Sequence, residues 1–316
     1  MDGNVRGVLT VIGEALVDLV DDGDGATFTA HLSGSPLNVA LGLARLGRPT
    51  QLMARFGADM FGRRLRAFAE RNGIGLEAAV AAPEPSTLAV VMLDEHRKAV
   101  YDFYAQDSAD WQWTPDELAL PAGTQILHTG SLASWRPPGD EHIVAALRQA
   151  RDTVLVSYDP NVRPTLLGTP ERARPLIERA VAVAHLVKAS DDDISWLYPR
   201  ARLDEVAQRW LGLGAATVVL TRGERGAVGY RPGSDAVERA GRPVHLVDTI
   251  GAGDAFTSGL LSALAGAGVH DAVTLAGADL GAALDEAILV AALTCERAGA
   301  DPPTAAEVDV HRERTS

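Results

Sequence analysis

Short apolar runs rich in β-branched residues alternate with amphipathic helical patterns along most of the chain. The apolar runs have the length and composition of buried strands, and the stretches between them carry apolar residues at helical spacing. Buried strands that alternate with helices predict an α/β fold with a parallel sheet covered on both faces. The predicted strands are 8–12, 51–56, 125–130, 153–159, 185–189 and 217–221, and the predicted helices lie near 37–46, 60–72, 140–151, 170–184 and 203–213.

Two segments in the N-terminal third break this rhythm. Residues 14–33 and 86–104 resemble antiparallel hairpins with polar turns. We expect them to form a small β-sheet lid, with boundaries near 14–35 and 84–110, inserted into a single domain spanning 1–316. A lid over an active site excludes water and completes the site. The alternative is that both segments extend the main sheet with antiparallel strands.

Two polar stretches near the C-terminal end carry no strong periodicity. The turn-rich stretch 231–243 is predicted to be a surface loop, and the polar tail 305–316 is predicted to be frayed. We find no internal repeat in the sequence.

The composition limits the classes of partner. The chain of 316 residues has a net charge of −13 and a pI near 5.0, so we expect neither nucleic acid nor an anionic membrane as a main partner. Cys295 is the single cysteine, which excludes an internal disulfide and favours a reducing cytoplasm. The N-terminal stretch lacks a signal-peptide pattern, and the sequence has no uncharged apolar run of membrane-spanning length.

The stretch DTIGAGDAF at 248–256 carries the strongest chemical signal. Gly251 and Gly253 lack side chains, so the backbone there can approach a ligand closely and adopt a positive φ. A helical pattern follows Asp254, and a turn that opens a helix presents free N–H groups to an anion. A carboxylate in an anion site would repel a phosphate. The conflict is resolved if Asp254 accepts a proton from the group that attacks that phosphate.

Two common nucleotide-binding motifs do not fit this stretch. A dinucleotide fingerprint requires Gly or Ala at its sixth position, where this chain has Phe256. A P-loop requires a Gly-Lys-Ser/Thr sequence, but Lys98 and Lys188, the two lysines of the chain, do not follow a glycine. If the protein uses ATP, it does so without a Walker lysine.

Two separated stretches resemble a known family. SGSPLNVALGLARLG at 33–47, followed by Gly57 and Gly62, resembles the first signature of the pfkB, or ribokinase-like, sugar kinases. DTIGAGDAFTSG at 248–259 resembles their second signature. Both stand in the family's order and spacing, so the resemblance covers nearly the whole chain. It implies a three-layer α/β/α domain with a β lid, and ATP-dependent phosphorylation of a small hydroxylated substrate.

The resemblance implies a catalytic role for the GAGD turn. Asp254 resembles the general base that accepts the proton of a sugar hydroxyl during phosphoryl transfer. The N–H groups of Ala252, Gly253 and Asp254, preceded by Gly251, would stabilise charge on the transferred phosphoryl group. The alternative interpretation of Asp254 is an ordinary first-turn aspartate favoured by the helix dipole.

The resemblance also assigns residues to the substrate. Asp18 would accept hydrogen bonds from sugar hydroxyls, and Asn38 would donate and accept them. The alternatives are a solvated turn carboxylate for Asp18 and a helix-start hydrogen bond for Asn38. Arg163 suits phosphate oxygens or substrate because its guanidinium forms a planar fork, and the alternative is an ion pair with a nearby acid. The predicted substrate-binding residues are Asp18, Gly34, Asn38, Tyr104, Asn161 and Arg163.

Two further segments resemble the nucleotide and metal site of the family. In LVKASDDDISWL, at 186–197, Asp193 takes the place of an acid that helps to hold Mg²⁺, an ion that needs few protein ligands. The alternative is that these residues cap a helix. Asp248 and Ile250 resemble the place where many relatives bind a monovalent cation, such as K⁺. The predicted nucleotide-binding residues are Lys188, Ser190, Thr221, Gly223 and Gly226.

The expected activity is an ATP-dependent sugar kinase. SYDPNVRP at 157–164 and SAD at 108–110 look most like the fructokinases, which implies fructose and its 6-hydroxyl. Ser33 and Ala105 depart from the family, which usually has Gly at the first position and often Arg at the second. An arginine would suit a sugar acid, so its loss disfavours 2-keto-3-deoxygluconate.

Other substrates and another class of protein stay open. Ribose, a 2-keto-3-deoxy sugar acid and a nucleoside are alternative substrates, since Tyr101, Phe103 and Tyr104 could line a pocket for a sugar or for a nucleoside. A non-catalytic sugar or nucleotide sensor on the same fold is the alternative from a different class. We expect a homodimer through the lid, because an open lid leaves a strand edge that a second copy can pair.

Overall fold

The computed structural model describes residues 7–23, 26–93 and 99–313. The strands are β1 (Val8–Ile12), β2 (Leu16–Asp21), β3 (Phe28–Ser33), β4 (Thr50–Met53), β5 (Arg55–Gly57), β6 (Val80–Ala82), β7 (Leu88–Leu93), β8 (Ala99–Tyr104), β9 (Thr124–Gly130), β10 (Leu155–Asp159), β11 (Leu186–Ser190), β12 (Thr217–Thr221), β13 (Ala227–Tyr230) and β14 (Val237–Arg239). The helices are α1 (Ser35–Arg45), α2 (Met60–Arg71), α3 (Asp140–Ala150), α4 (Pro164–Leu167), α5 (Pro170–Val181), α6 (Asp191–Leu197), α7 (Leu203–Leu213), α8 (Ala252–Gly266), α9 (Ala272–Gly277), α10 (Leu280–Cys295) and α11 (Ala305–Glu313).

The central sheet has the strand order β14-β13-β12-β11-β10-β9-β1-β4. In this sheet β4, β1, β9, β10, β11 and β12 pair in parallel, and β13 and β14 add antiparallel strands at one edge. Every residue of β10 is buried, because both faces of the sheet are covered and its strands need no polar side. The predicted mostly parallel sheet is therefore confirmed.

Helices cover both faces of this sheet, since successive strand residues point to opposite sides. Val156 and Val187 face one layer, built around α3, α5, α6 and α7. Leu155 and Leu186 face the other layer, which contains α1, α8 and α10. Burial of each such side chain contributes roughly 1.5–3 kcal/mol to folding. The carboxyl ends of the parallel strands stay uncovered, and this is the edge at which open α/β sheets bind ligands.

The lid is a separate sheet with the order β3-β2-β7-β8. β2 pairs with β3, and β7 with β8, in antiparallel fashion, and β2 and β7 join the two hairpins in parallel. The prediction of a lid is thus confirmed over the alternative that these segments extend the main sheet.

Three details of the sequence prediction are wrong. The predicted strand 51–56 is interrupted at Ala54, and its second part, β5, pairs with β6 in a small third sheet. The predicted loop 231–243 contains β14, which hydrogen-bonds along β13. Residues 305–313 of the predicted frayed tail form α11, because Glu307 closes its first turn by accepting hydrogen bonds from the backbone and side chain of Thr304. Residues 314–316 of that tail lie outside the described part of the chain. Within the described part of the chain, no helix is long and apolar enough to cross a membrane.

Candidate functional site

A cavity of about 320 Å³ lies between the lid and the carboxyl edge of the central sheet. The lid contributes one wall, and the first turns of α1 and α8 contribute the floor. The loop after β10 closes one side. The cavity is lined by Glu14, Leu16, Asp18, Ser33, Gly34, Ser35, Asn38, Tyr101, Phe103, Ser131, Leu132, Asn161, Arg163, Thr249, Ile250, Gly251, Gly253 and Asp254.

The GAGD turn opens α8 as the sequence predicts. Gly251 is the N-cap residue and adopts a left-handed φ of +75°, where an added Cβ would lie 2.6 Å from the Cβ of Ala300. A side chain is therefore excluded at Gly251 by both backbone conformation and space. Ala252 donates its N–H to the Thr249 carbonyl at 3.2 Å, so this N–H serves the turn. Among the described residues the N–H groups of Gly253 and Asp254 have no acceptor, so these two remain available to an anion.

Asp254 lies at the floor of the cavity and is 9% exposed. Its carboxylate accepts hydrogen bonds from Ser35 Oγ at 2.6 Å and from Asn38 Nδ2 at 2.9 Å. Burial raises the pKa of Asp254, while these two hydrogen bonds and the charge of Lys188 oppose the increase. A carboxyl group with a raised pKa is a stronger base than an exposed aspartate, which suits a group that must take a proton.

A buried ion pair lies directly below the turn. Lys188 Nζ donates to Asp159 Oδ2 at 2.8 Å, and both side chains are almost fully buried. A Cβ added to Gly253 would stand 3.2 Å from Lys188 Nζ, so the ammonium group lies against the first turn of α8. Burial lowers the pKa of Lys188, but the carboxylates around it, Asp159 first, raise it above its usual value. Lys188 therefore stays charged beneath the anion site.

Asp18 and Ser33 form the polar part of the lid wall. They lie on neighbouring strands, β2 and β3, and Asp18 is half-buried. Burial raises the pKa of Asp18, and the hydrogen bond from Ser33 together with the charges of Arg163 and His31 lowers it. The departure at Ser33 thus has a local consequence, because its hydroxyl supports the ionised form of Asp18.

The loop after β10 brings Asn161 and Arg163 to the same cavity. Asn161 adopts a left-handed φ of +38°, which asparagine tolerates better than most residues. Arg163 Nη1 donates to Asn161 Oδ1 at 2.7 Å, so the amide orients the guanidinium. The predicted residues Asp18, Asn161 and Arg163 are therefore brought together, although sugar binding by them stays a prediction.

Two predicted substrate residues, Tyr104 and Asn38, are placed differently from the other four. Tyr104 does not line the cavity: successive residues of β8 face opposite sides, and Tyr104 is 67% exposed on the outer side. The aromatic residues that face the cavity are Tyr101 and Phe103, whose rings stack at 5.9 Å. Asn38 has its Nδ2 committed to Asp254, which leaves its Oδ1 for a substrate hydroxyl.

The predicted nucleotide residues follow neighbouring strands at the same edge of the sheet. Ser190 ends β11 and pairs in register with Thr221 at the end of β12. The turn after β12 contains Gly223 and Gly226, and it closes with a 2.7 Å hydrogen bond from the Arg222 N–H to the Gly226 carbonyl. Ser190, Thr221, Gly223 and Gly226 do not line the cavity.

The predicted metal residues have protein partners. Asp193 Oδ1 accepts from the Val162 N–H at 2.8 Å, and Oδ2 accepts from the N–H and hydroxyl of Ser190, so the expected helix cap is present. Asp248 accepts from the N–H groups of Ile250 and Gly299, at 3.0 Å and 2.8 Å. Over residues 7–23, 26–93 and 99–313, no cluster of three or more His, Cys, Asp or Glu side chains could hold a metal ion. Mg²⁺ keeps several waters and needs few protein ligands, so a single carboxylate such as Asp193 is compatible with it.

Sequence reasoning missed two groups of residues. Ser35 touches the carboxylate of Asp254 across 219 positions of sequence, and no local pattern signals such a contact. Glu14 and Ser131 line the cavity from the β1–β2 and post-β9 segments. The sequence GEALVD at 13–18 offers one signal for Glu14, an acidic residue directly after a buried strand.

Comparison with solved structures supports the fold. The fructokinase from Xylella fastidiosa with bound ATP superposes with a TM-score of 0.90 at 25% identity, covering 99% of this chain and 100% of that chain. A double mutant of the fructokinase from Vibrio cholerae O395, with fructose, ADP and potassium bound, gives a TM-score of 0.83 at 28% identity over 96% of this chain and 98% of that chain. The predicted ribokinase-like architecture is confirmed.

Comparison of sequences identifies the family. A fructokinase from Klebsiella pneumoniae is 35% identical over 283 residues, which cover 87% of this chain and 90% of that protein. The profile of the pfkB family carbohydrate kinase matches residues 8–306, which confirms the resemblance carried by the two signatures. The chain belongs to the pfkB family of carbohydrate kinases.

Proposed function

We propose that the protein is an ATP-dependent fructokinase that transfers the γ-phosphate to the 6-hydroxyl of fructose. One observation carries the proposal: a buried carboxylate with a raised pKa, Asp254, stands at the floor of a sugar-sized cavity beside two free N–H groups at a helix start. A base next to an anion site is the arrangement that phosphoryl transfer to a hydroxyl requires. The fructokinases similar to this chain support fructose as the sugar.

The residues of the site divide the work between sugar and phosphate. Asp18, Asn38, Asn161 and Arg163 hold sugar hydroxyls, and Asp254 accepts the proton of the attacking hydroxyl. Ser35 and Asn38 orient the carboxylate of Asp254 through their hydrogen bonds. Preorganised donors lower the barrier because they need no reorientation as charge develops.

The phosphoryl group meets three positive features on its side of the cavity. The Gly253 and Asp254 N–H groups bind its equatorial oxygens, and Lys188 lies beneath them as a fixed charge. Lys188, Ser190, Thr221, Gly223 and Gly226 are the proposed nucleotide-binding residues, at the ends of β11 and β12. Mg²⁺ neutralises the phosphates of ATP when it is bound, and Asp193 would contact it through water, because both its oxygens already accept hydrogen bonds.

Other properties of the protein belong to the same proposal. The turn containing Asp248 and Ile250 is the proposed site for K⁺, and potassium is present in the Vibrio cholerae structure. We propose a cytoplasmic homodimer that contacts through the lid, with the sugar and ATP rather than nucleic acid as its ligands. The acidic charge of −13 and the single cysteine support this assignment.

The test is an ADP-release assay with Mg-ATP and K⁺ across fructose, ribose, 2-keto-3-deoxygluconate and adenosine. We expect turnover with fructose, and a kcat lower by roughly 10²–10⁴-fold in Asp254→Asn, the range that general bases contribute. Asp235→Asn is the control, because it removes one acidic charge on an exposed loop. Phosphorus NMR of the product identifies the hydroxyl that is phosphorylated.

Three other outcomes would change the assignment. Turnover with ribose, the sugar acid or adenosine but not fructose would keep the kinase and change its substrate. Binding of sugar and ATP in a thermal-shift assay, with no turnover of any sugar, would favour a sensor. Turnover that persists in Asp254→Asn would show that another group is the base.

A further inference from the structure

The chain passes between the central domain and the lid through a buried polar cluster. Asp110, which follows β8, accepts a hydrogen bond from the Ala15 N–H at 2.9 Å, and residue 15 lies between β1 and β2. Thr87, directly before β7, bonds to the hydroxyl of Ser108 at 2.6 Å and also to Asp110. Three of the four chain connections to the lid therefore meet at one set of buried hydrogen bonds, which we call the hinge cluster: Ala15, Thr87, Ser108 and Asp110.

Glu14 joins this cluster to the sugar cavity. It is 1% exposed, its Oε2 accepts from the Ala133 N–H at 3.2 Å, and its side chain also bonds to Ser131. Ser131 is buried with a left-handed φ of +53°, a conformation that a serine holds only when its surroundings impose it. Ser131 and Leu132 line the cavity opposite the lid. The backbone of Glu14 therefore adjoins the hinge cluster at Ala15, and its side chain holds the cavity wall at Ser131 and Ala133.

One carboxylate oxygen on each acid lacks a partner. Within the described part of the chain, Glu14 Oε1 and Asp110 Oδ2 are fully buried without a hydrogen bond. Because Glu14 Oε1 is closed off from solvent, it cannot reach a sugar in this arrangement, and it must act through the groups it holds. A buried charge without a partner is costly, so burial raises the pKa of each acid.

We propose that Glu14 is a positioning residue of the sugar site, which fixes the 131–133 turn against the lid hinge so that both walls of the cavity keep their spacing. The inference rests on the proposed function, since it takes the cavity to hold the sugar. Loss of this tie should weaken sugar binding more than it slows chemistry, because Asp254 and the anion site lie on other elements.

The protonation state of Glu14 should affect how KM for fructose depends on pH. Burial, and then the charge of Asp110, raises the pKa of Glu14 to about 7, while burial raises that of Asp110 to about 6. From the hinge, the ionisable group that faces Glu14 is Asp110. The 131–133 turn contributes the hydroxyl of Ser131 and backbone groups, which do not titrate. The charged residues of the cavity beyond are Asp18, Arg163 and Asp254. Ionisation of Glu14 as the pH rises through about 7 strengthens its hydrogen bonds to Ser131 and Ala133, but it also places a second buried charge beside Asp110. Repulsion between the two carboxylates should push the hinge cluster away from the 131–133 turn and raise KM for fructose. Ionisation of Asp254 acts in the opposite direction, because it restores the base.

The experiment compares Glu14→Gln and Glu14→Ala with the wild-type enzyme from pH 5.5 to 8.5, a window around the value of about 7 for Glu14. In the wild type, KM for fructose should rise about threefold or more over this range, while KM for ATP stays constant. Glu14→Gln keeps the shape without the charge, so its KM should stay low and independent of pH. Glu14→Ala should raise KM about tenfold at all pH values with a much smaller change in kcat. Glu77→Gln, at an exposed position, is the charge-matched control.

Stability gives a second measurement that needs no substrate. A raised pKa means that the contribution of Glu14 to stability is fully present below its ordinary pKa of 4.5 and is lost as the pH rises through about 7. Glu14→Gln cannot ionise, so its Tm should increase relative to the wild type between these limits. An equal Tm difference at every pH would contradict the buried, protonated state.

The outcomes separate this inference from the proposed function. If the wild type phosphorylates fructose but Glu14→Ala has an unchanged KM, or if Glu14→Gln keeps the wild-type rise of KM with pH, the positioning role is wrong while the kinase stands. If the wild type neither turns over nor binds any sugar, both proposals fail. Should Glu14→Ala not fold, the comparison of wild type with Glu14→Gln decides.

Discussion

At the scale of single residues, the charge of Lys188 is the feature that links the two halves of the proposed reaction. Its ammonium group interacts with Asp159, Asp193 and Asp254, so one buried cation lies among three acids. Its charge lowers the pKa of Asp254, and its position against Gly253 places it beneath the anion site. Lys188 therefore favours both the ionised base and the arriving phosphate.

We predict that Lys188→Met lowers kcat by roughly 10²-fold or more, because a fixed positive charge is lost where negative charge develops. The acidic limb of the kcat profile should also move to higher pH, since Asp254 loses the charge that opposes its raised pKa. Initial rates across pH measure both effects. Lys188→Arg keeps the charge and is the matched variant, expected to retain the wild-type acidic limb.

A loss of stability must be separated from this effect. Removal of one partner of a buried ion pair costs roughly 3–5 kcal/mol, since Asp159 would be left buried and unpaired. Lys188→Met combined with Asp159→Asn removes both charges, so the pair should recover much of the Tm but not the activity. Full activity in the double variant would show that Lys188 is only structural.

Sequence reasoning reached some residues of the site and not others, for physical reasons. Asp254 was predictable because its motif is local: two glycines, a helix start and an acid within one turn. Ser35 was not, because it meets Asp254 only after two distant helices pack. Tyr104 was predicted as a substrate residue because three aromatic residues in a short run do not show which of them face inward, and in the structure it does not line the cavity. The alternation of a strand decides that, once one cavity residue is known.

At the scale of elements, hydrophobic periodicity predicted the strands and helices whose positions are set by burial. The parallel strands of the central sheet were predictable because they are buried on both faces and are therefore rich in apolar and β-branched residues. The strand β14 was missed because its sequence, Val237–Arg239, is short, polar at two positions and lies at an edge. Hydrogen bonding to β13, rather than its own composition, makes it a strand. The tail helix α11 was missed for a similar reason, since its cap depends on Thr304 and Glu307.

The start of α1 shows how one backbone position sets the geometry of the site. Gly34 is its N-cap residue, with a φ of +119°, and an added Cβ would lie 2.6 Å from the carbonyl oxygen of Glu14. We predict that Gly34→Ala destabilises the protein by more than the roughly 1–3 kcal/mol of backbone strain, because the hinge backbone must also move. KM for fructose should rise, since Gly34 and Glu14 both line the cavity. Denaturant unfolding and sugar kinetics measure the two effects.

Gly47→Ala is the matched control for this prediction. Gly47 also has a left-handed φ, +72°, but an added Cβ would meet nothing within 4 Å. The substitution therefore adds strain without a clash and lies outside the cavity. Equal losses of stability and equal kinetics in the two variants would show that the contact between Gly34 and Glu14 has no role of its own.

At the scale of the whole molecule, the site exists only when the lid and the central domain meet. Its residues come from both ends of the chain, from Glu14 on the hinge to Asp254 on α8. The resemblance to a family could predict this assembly, whereas periodicity alone could not, because no local pattern specifies which face of the lid turns toward the sheet. The inner face carries Asp18, Tyr101 and Phe103, and the outer face exposes several large apolar side chains beside Asp21 and Asp102.

That outer face supports the last prediction. Phe28, Met92, Val100 and Tyr104 on the outer face of the lid are between 42% and 67% exposed, and Met92 and Val100 are direct cross-strand neighbours. Exposed apolar patches of this kind mark protein contacts, and a second copy of the chain can cover them.

We predict that light scattering gives a wild-type mass of twice the 33.3 kDa chain. In Val100→Glu the mass should fall to that of the single chain, because the contact would bury an unpaired charge. Val273→Glu is the control, at an 80% exposed position on α9 outside the lid, and should leave the mass unchanged. A wild-type monomer at micromolar concentration, or equal dissociation in both variants, would show that the apolar face of the lid does not hold a second copy.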